Sequence, residues 1–140
     1  MTTPSSKLGD LGWVLDDLLR TPHTLRVLLL SSDGLVAAKS TNFDPDLADQ
    51  MAAAVSGIQS LSRSAAPFAD SAGTSELAMF QYPPNGNYLF AMAAGEGTHL
   101  AVSASGQAVV RDVSYAMEET VDRLREQLGV APRTGAGTAS

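Results

Sequence analysis

Leucines at three- and four-residue steps near the start of the chain predict a first helix. They are Leu8, Leu11, Leu15, Leu18 and Leu19, with Asp16 and Asp17 on the opposite side. The helix should begin near Lys7 and end before Pro22, because the residue ahead of a proline avoids the α region. Residues 1–6 are polar, and we expect them to form a flexible N-terminus.

Two short apolar runs follow, separated by an Asp-Gly pair. Thr24–Leu30 (TLRVLLL) precedes Asp33-Gly34, and residues 35–40 (LVAAKS) follow it. Runs of this length fit strands that are buried on both faces better than they fit helices. Asp-Gly tolerates the positive φ values that tight hairpins require. The sequence therefore predicts a β-hairpin with Asp33 and Gly34 as its structural turn.

The next helical pattern has two different sides. Asp44 is its predicted N-cap, Pro45 suits the first helical position, and the helix should run to about Ala66. One side is a bulky stripe of Leu47, Met51, Ala54, Val55, Ile58 and Leu61. Much of the remaining surface is small, at Ala48, Ala52, Ala53, Ser56, Gly57 and Ser60. A helix of this kind is often packed on two sides.

Three strand-like runs and a long helix complete the chain. The runs are Glu76–Tyr82, Asn87–Ala94 and Thr98–Ala104, joined by short turns that force antiparallel neighbours. The helix should start at Gln107 and be capped by Gly129. Its apolar side carries Val109, Val110, Val113, Ala116, Met117, Val121, Leu124 and Leu128, and its charged side carries Arg111, Asp112, Glu118, Glu119, Asp122, Arg125 and Glu126. Residues 130–140 are predicted to be a disordered tail.

The predicted fold class is α+β, with the element order α-β-β-α-β-β-β-α. Its core would be a five-stranded antiparallel sheet. Several strands are apolar on both faces, so the sheet should carry helices on both faces.

Composition and charge narrow the classes of protein. The chain has 140 residues, 44% hydrophobic and 17% charged, with a formal net charge of −6. One domain is expected, which we place at residues 7–129. The acidic balance argues against nucleic acid or an anionic membrane as a partner. No apolar stretch approaches the roughly 18 residues of a membrane helix, and no secretory signal pattern is present, so we expect a cytoplasmic protein.

Reactive groups are scarce and poorly spaced for chemistry. There is no cysteine, and the two histidines, His23 and His99, have no carboxylate at a ligand spacing beside them, so we expect no metal site. The segment SASGQ is only superficially similar to a serine nucleophile motif, since its first residue is Ser103 rather than glycine. No glycine run is followed by Lys-Ser/Thr, so nucleotide binding is not expected. We expect no cofactor, no catalytic residue and no enzyme activity.

These features together resemble the Roadblock/dynein light chain domain family over roughly residues 5–128. The resemblance rests on the N-terminal helix, the hairpin RVLLLSSDGLVAAKS, the middle helix LADQMAAAVSGIQSLSRSAA and the closing helix after LAVSASGQAVVRDV. The Asp33-Gly34 hairpin is the most specific part. The Ala-rich, Arg-biased composition is similar to the actinobacterial type, which is encoded beside a membrane sensor histidine kinase and a small Ras-like GTPase.

The resemblance implies a binding module without enzymatic chemistry of its own. Family members are dimers in which the middle helices and third strands of two subunits pair across a two-fold axis. In this sequence the dimer interface would comprise Met51, Ala52, Val55, Ser56, Gln59, Leu77, Met79, Phe80 and Tyr82. The implied partners are a second copy, a small Ras-like GTPase and a membrane sensor kinase complex, through which the protein would be recruited to a membrane. One bacterial relative activates GTP hydrolysis without donating an arginine.

The residues by themselves also favour a dimer in part. Glu76–Tyr82 is apolar and weakly charged, and an apolar edge strand is usually covered or paired. Pairing with its own copy is a simple solution, and Phe80 and Tyr82 would lie at that contact. The small side of the middle helix would let the second copy approach closely. The alternative is that its small residues pack only on the chain's own sheet.

Two surface features leave their own alternatives open. Trp13 lies off the leucine stripe, so it is either an exposed binding anchor or a residue buried under the tail or the closing helix. Glu118, Glu119 and Asp122 form either a solvated helix face or a contact for a basic partner.

Two functions from different classes are therefore carried forward. The first is a non-enzymatic homodimeric adaptor that binds and regulates a small Ras-like GTPase in a bacterial signalling complex. The second is a small-molecule sensor with a pocket between the sheet and its helices. A void lined by residues such as Phe90, Met92 and Met117 would favour the second, and a filled core would count against it.

Overall fold

The computed structural model describes residues 11–95 and 97–127 of the chain. The expectations for residues 1–10, for the helix end at Gly129 and for the tail 130–140 lie outside the described residues. In chain order the elements are α1 (Gly12–Leu19), β1 (Thr24–Ser31), β2 (Val36–Lys39), α2 (Pro45–Ala65), a short 3-10 helix (Ala66–Ala69), β3 (Leu77–Tyr82), β4 (Asn87–Gly95), β5 (Thr98–Ala104) and α3 (Val110–Gln127).

The five strands form one antiparallel sheet in the order β2-β1-β5-β4-β3. The predicted fold class and element order are confirmed. The strand order adds a feature that the hairpin turns do not specify, because β1 pairs with the last strand, β5. Val27 lies opposite Val102 and Leu29 lies opposite Leu100 in this central ladder. As a result β2 and β3 lie at the two edges.

The strands are apolar on both faces because each face carries a separate core. Val27 and Leu29 of β1 point to the face that α1 and α3 cover, where Phe90 and Met117 are also buried. The second core lies under α2 and contains Leu28, Leu30, Phe43, Ala48, Ala52, Val55, Ala91 and Ala101. The predicted pair of helix layers is thus present, with two helices on one face and one on the other.

The turn of the first hairpin contains Asp33 and Gly34, and of this pair only Gly34 has a positive φ. Gly34 has φ +87°, and its N–H donates to the Ser31 carbonyl oxygen at 2.9 Å. The Ser31 hydroxyl donates to the Asp33 carboxylate. A Cβ on Gly34 would lie 3.5 Å from the Ala53 backbone, so the turn also contacts α2 closely.

Both long helices begin near the predicted residues. The Asp44 carboxylate accepts a hydrogen bond from the Leu47 N–H at 3.2 Å, as an N-cap should. Pro45 is the first residue of α2. α3 begins at Val110 rather than at Gln107, because a separate turn precedes it in which the Ser105 hydroxyl accepts from the Gln107 N–H at 3.2 Å.

The orientation of α2 divides its small residues, since Ala48 and Ala52 pack on the chain's own sheet and the other four do not. Ala48, Ala52, Val55 and Gln59 are the buried positions of the helix. Most of the bulky stripe lies instead along one flank, where Leu61 is 70% exposed. Ala53, Gly57 and Ser60 face outward, so the approach of a second copy along small residues of the helix stays a prediction. Small side chains let the helix axis lie close to β1.

The charged side of α3 is solvated except at one position. Glu118, Glu119 and Asp122 are exposed, as expected for a polar helix face. Arg125, which we had placed on the same side, is only 8% exposed. Arg125 and Leu77 line the same cleft between α3 and the start of β3.

Two glycine-to-alanine substitutions should change stability in opposite directions. A Cβ on Gly106 would lie 2.7 Å from the Asn85 carbonyl oxygen, so Gly106→Ala should lower the free energy of unfolding by about 1–3 kcal/mol. Gly57 lies on the exposed side of α2 with nothing within 4 Å of such a Cβ. Gly57→Ala should raise the free energy of unfolding by about 0.5–1 kcal/mol, because alanine has a higher helix propensity than glycine. Urea unfolding measures both, and equal changes would contradict the geometry.

Candidate functional site

β3 is an apolar strand at an open edge of the sheet. Its only neighbour among the described strands is β4, so one row of its backbone N–H and C=O groups faces outward. Five of its six residues are exposed, all but Ala78. An edge of this length without a charged residue is a template for pairing with another strand.

The β3 side chains form apolar surfaces on both faces of the sheet. Leu77 and Met79 lie opposite Met92 and Phe90, so they are on the α1/α3 face. Phe80 and Tyr82 are on the α2 face, where their rings stack with centroids 6.5 Å apart. The four are Leu77, Met79, Phe80 and Tyr82, and they are between 36% and 49% exposed.

α2 carries a second apolar surface on the same side of the sheet as Phe80. Leu47, Met51, Ala54, Ile58 and Leu61 follow each other at alternating steps of four and three residues, and we call them the Leu61 flank. This spacing places side chains in one row along a helix, as in the seam between paired helices. None of the five is buried.

A cleft of about 240 Å³ separates α2 from the outer strands. Leu47 and Met51 line its helix side, and Leu89 and Ala101 line its sheet side. One helix is about 10–12 Å wide and strands are about 4.8 Å apart, so one helix covers only about two strands. α2 packs on β1 and β2, which explains why Phe80 and Tyr82 at the far edge stay uncovered.

The residues predicted for a dimer interface fall into two groups. All four β3 positions are at the surface, and Met51 lies on the Leu61 flank. Ala52, Val55 and Gln59 lie beneath α2 against the chain's own sheet, with exposures of 0%, 0% and 2%. Ser56 is on the opposite flank, where its hydroxyl donates to the Ser32 carbonyl oxygen at 2.6 Å. Another copy can reach the Leu61 flank and the outward side of the helix, where Ala53 and Gly57 are exposed.

The opposite face of the molecule presents one large aromatic side chain between α1 and α3. Trp13 is 57% exposed, and the Arg123 guanidinium lies 5.4 Å from its ring centroid. Arg123 also donates to the Asp17 carboxylate at 2.7 Å. Of the two alternatives for Trp13, the structure shows the exposed one, and the Arg123 cation lies over one face of the ring.

A polar cavity of about 160 Å³ lies beside the C-terminal half of α2. We call it the Arg63 cavity; its lining residues are Ser32, Ser56, Gln59, Ser60, Arg63, Thr74 and His99. The two His99 ring nitrogens lie 3.4 Å from the Ser32 hydroxyl and 3.4 Å from the Gln59 amide nitrogen. Burial, together with the positive charge of Arg63, lowers the pKa of His99.

The Ser32–His99–Gln59 arrangement differs from a catalytic triad in its third member. A triad uses a carboxylate to orient the imidazole and to stabilise its charged form. Gln59 is neutral, and Arg63 opposes a positive charge on His99. Within residues 11–95 and 97–127, no group of three or more His, Asp or Glu side chains could hold a metal ion. No helix of the described part is long and apolar enough to cross a membrane.

Comparison with known proteins decides the family. The sequence model of the Roadblock/LC7 domain matches residues 11–104, which is more than half of the chain. This chain belongs to the Roadblock/LC7 family. A Roadblock/LC7 domain from Streptomyces avermitilis is 39% identical, has a TM-score of 0.77 and is matched over 98% of its length by 85% of this chain. No curated protein matches the sequence.

Two further solved structures extend the comparison. A second Roadblock/LC7 domain from the same organism is 33% identical with a TM-score of 0.66, covering 82% of this chain and 98% of that one. The gliding protein MglB from Thermus thermophilus is 20% identical with a TM-score of 0.73, covering 91% and 92% of the two chains. At this lower identity the likeness shows the shared fold.

The sensor hypothesis requires a pocket lined by residues such as Phe90, Met92 and Met117. Phe90 and Met117 are completely buried and Met92 is 7% exposed, all within the core under α1 and α3. Phe90 and Met117 fill the interior, whereas Met92 also lines a cleft of about 240 Å³, together with Leu77 and Val121 of the outer strand and α3. The sequence had not pointed to the Arg63 cavity, because Gln59 and His99 are 40 positions apart.

His99 should make the stability of the domain depend on pH. The pKa of His99 is lower in the folded chain than its usual value of 6.5, so the unfolded chain takes up the proton first. The contribution of His99 is fully present above pH 6.5 and is lost as pH falls towards its folded pKa. His99→Gln should therefore lose less stability than the wild type between pH 7 and 5. Urea unfolding at several pH values measures this, and parallel curves would contradict it.

Proposed function

We propose that this Roadblock/LC7 domain is a non-enzymatic homodimeric adaptor for a small Ras-like GTPase. The observation that carries the proposal is the exposed apolar strand β3, which lacks a neighbour on its outer side among the described residues. A surface of this kind is unfavourable in water and is removed when a partner strand pairs with it.

A second copy fits this edge by symmetry. Antiparallel pairing of β3 with its own copy is isologous, so the same residues contribute from both sides and the contact closes as a two-fold dimer. It would join two five-stranded sheets into one and hydrogen-bond the outer backbone row of each β3. Phe80 and Tyr82 would then contact the corresponding side chains of the second copy.

The helices would join in the same contact. Phe80 and the Leu61 flank lie on the same face of the sheet, with the apolar cleft between them. Two copies related at β3 would bring their Leu61 flanks towards each other above the joined sheet. The four-three spacing of the flank suits packing against an identical helix. This revised interface contains Leu47, Met51, Ala54, Ile58 and Leu61, together with Leu77, Met79, Phe80 and Tyr82.

Charge substitutions at this interface should produce a monomer. Phe80→Glu and Leu61→Glu place a carboxylate where the contact would be dry, and each should raise the dimer Kd at least about thirtyfold, or ~2 kcal/mol. Both side chains are exposed in the single chain, so the fold should survive. Tyr115→Glu and Ser64→Glu change exposed residues elsewhere and serve as controls.

Sedimentation equilibrium over a concentration series measures these constants. The wild type and both controls should be dimers at micromolar concentration. A monomeric wild type would contradict the proposed dimer. So would a Phe80→Glu variant whose dimer Kd equals that of Tyr115→Glu.

The GTPase would be regulated through surface complementarity. The resemblance to family members that partner small GTPases supports this, as does the scarcity of reactive side chains at the exposed surfaces. Binding would shift the GTPase switch segments between ordered and disordered states without adding a catalytic group. In the cell, the complex would be cytoplasmic and recruited to the membrane through a sensor kinase complex.

A small Ras-like GTPase partner should bind the dimer, and its rate of GTP turnover should change on binding. Phe80→Glu should lose both effects, because the platform spans two copies, while Tyr115→Glu should keep the dimer. Titration calorimetry with the GDP- and GTP-analogue-bound forms, together with single-turnover hydrolysis, measures binding and rate separately. If neither complex formation nor a change in rate occurs with dimeric wild type, the adaptor function is wrong.

A further inference from the structure

We propose that the Arg63 cavity is a binding site for a phosphate group. The cavity does not belong to the proposed dimer surface, because the Leu61 flank and β3 are elsewhere on α2 and the sheet. Four segments enclose it: the C-terminal half of α2, the turn after β1, the loop that leads into β3, and the start of β5. Its volume of about 160 Å³ is more than ten times the roughly 10–15 Å³ that one water molecule requires.

The charge of the cavity selects an anion. Arg63 is the one ionic side chain in the lining, which contains no carboxylate. Within the described residues, no Asp or Glu lies within ion-pair distance of Arg63, although the chain as a whole carries a net charge of −6. Arg63 donates one hydrogen bond to the Thr74 hydroxyl at 3.0 Å and retains further N–H donors.

Gln59 supplies an independent observation. It is only 2% exposed, it lines the cavity, and its carbonyl oxygen has no hydrogen-bond partner. A buried amide oxygen that accepts no hydrogen bond lowers the free energy of unfolding. Turning the amide over lets its carbonyl oxygen accept a hydrogen bond from the His99 Nδ1–H, and it gives the cavity wall an NH2 group that has no acceptor within the described part of the chain. In that arrangement Gln59 becomes a buried donor for a ligand.

The arrangement of donors favours a tetrahedral anion over a planar one. Arg63 and Ser60 approach from α2, Ser32 from the turn, and Gln59 from the floor of the cavity. A phosphate group carries several acceptor oxygens that point in different directions, so it can accept from all of these segments at once. A carboxylate lies in one plane and is satisfied by the guanidinium alone.

Titration with inorganic phosphate at constant ionic strength tests the site directly. The NH2 resonances of Gln59 should shift and saturate, and Tm should rise in parallel. Arg63→Gln should weaken binding about ten- to a hundredfold, because it removes the charge-assisted hydrogen bonds. Arg111→Gln removes the same charge from an exposed site on α3 and should bind as the wild type does. Ser60→Ala, which keeps the charge, should weaken binding about fivefold.

Two further ligands decide the chemistry and its source. Acetate at the same ionic strength should bind more weakly than phosphate. O-Phosphoserine that binds more tightly than inorganic phosphate would support a phosphate ester as the natural ligand, whereas the reverse order would support the free ion. Shifts that do not saturate, that persist in Arg63→Gln, or that acetate reproduces equally would overturn the proposal. None of these outcomes depends on the dimer or on the GTPase.

Discussion

The pairing of β1 with β5 is the constraint on which the rest of this structure depends. It joins the N-terminal hairpin to the three-stranded meander and makes one sheet of two local units. Because β1 and β5 occupy the interior, β3 is left at the edge with its outer backbone row free of described neighbours. The same ladder brings His99 beside Ser32, since Leu30 pairs with His99 directly before the β1 turn. Both candidate sites therefore follow from one strand pairing.

The unequal cover of the two faces explains the exposed apolar surface. α1 and α3 share one face, whereas α2 alone covers the other. One helix spans only about two strands, so the α2 face near β3 cannot be covered from within the chain. Ala48, Ala52 and Val55 of α2 face the sheet, and the Leu61 flank is left at one side. A second copy would supply the missing helix and the missing strand together.

The two proposed sites have different chemistry and lie apart. The dimer surface is apolar and would act through area and shape, which suits an adaptor for a protein partner. The Arg63 cavity is polar and has a buried amide without a full set of partners, which suits a small anion. It connects α2 to the loop before β3 through the Arg63–Thr74 hydrogen bond, so a ligand there would contact the segment that enters the edge strand.

The sequence by itself determined the features that depend on neighbouring residues. The hairpin turn at Asp33-Gly34, the N-cap at Asp44 and the extents of the strands follow from local periodicity, turn chemistry and capping, and the structure has them where they were predicted. The apolar character of β3 was visible for the same reason. Only the tertiary structure decided the strand order, the side of α2 that faces the sheet, and the meeting of Gln59 with His99. These depend on how residues far apart in the chain pack in three dimensions, and a pattern of three or four residues carries no information about that packing.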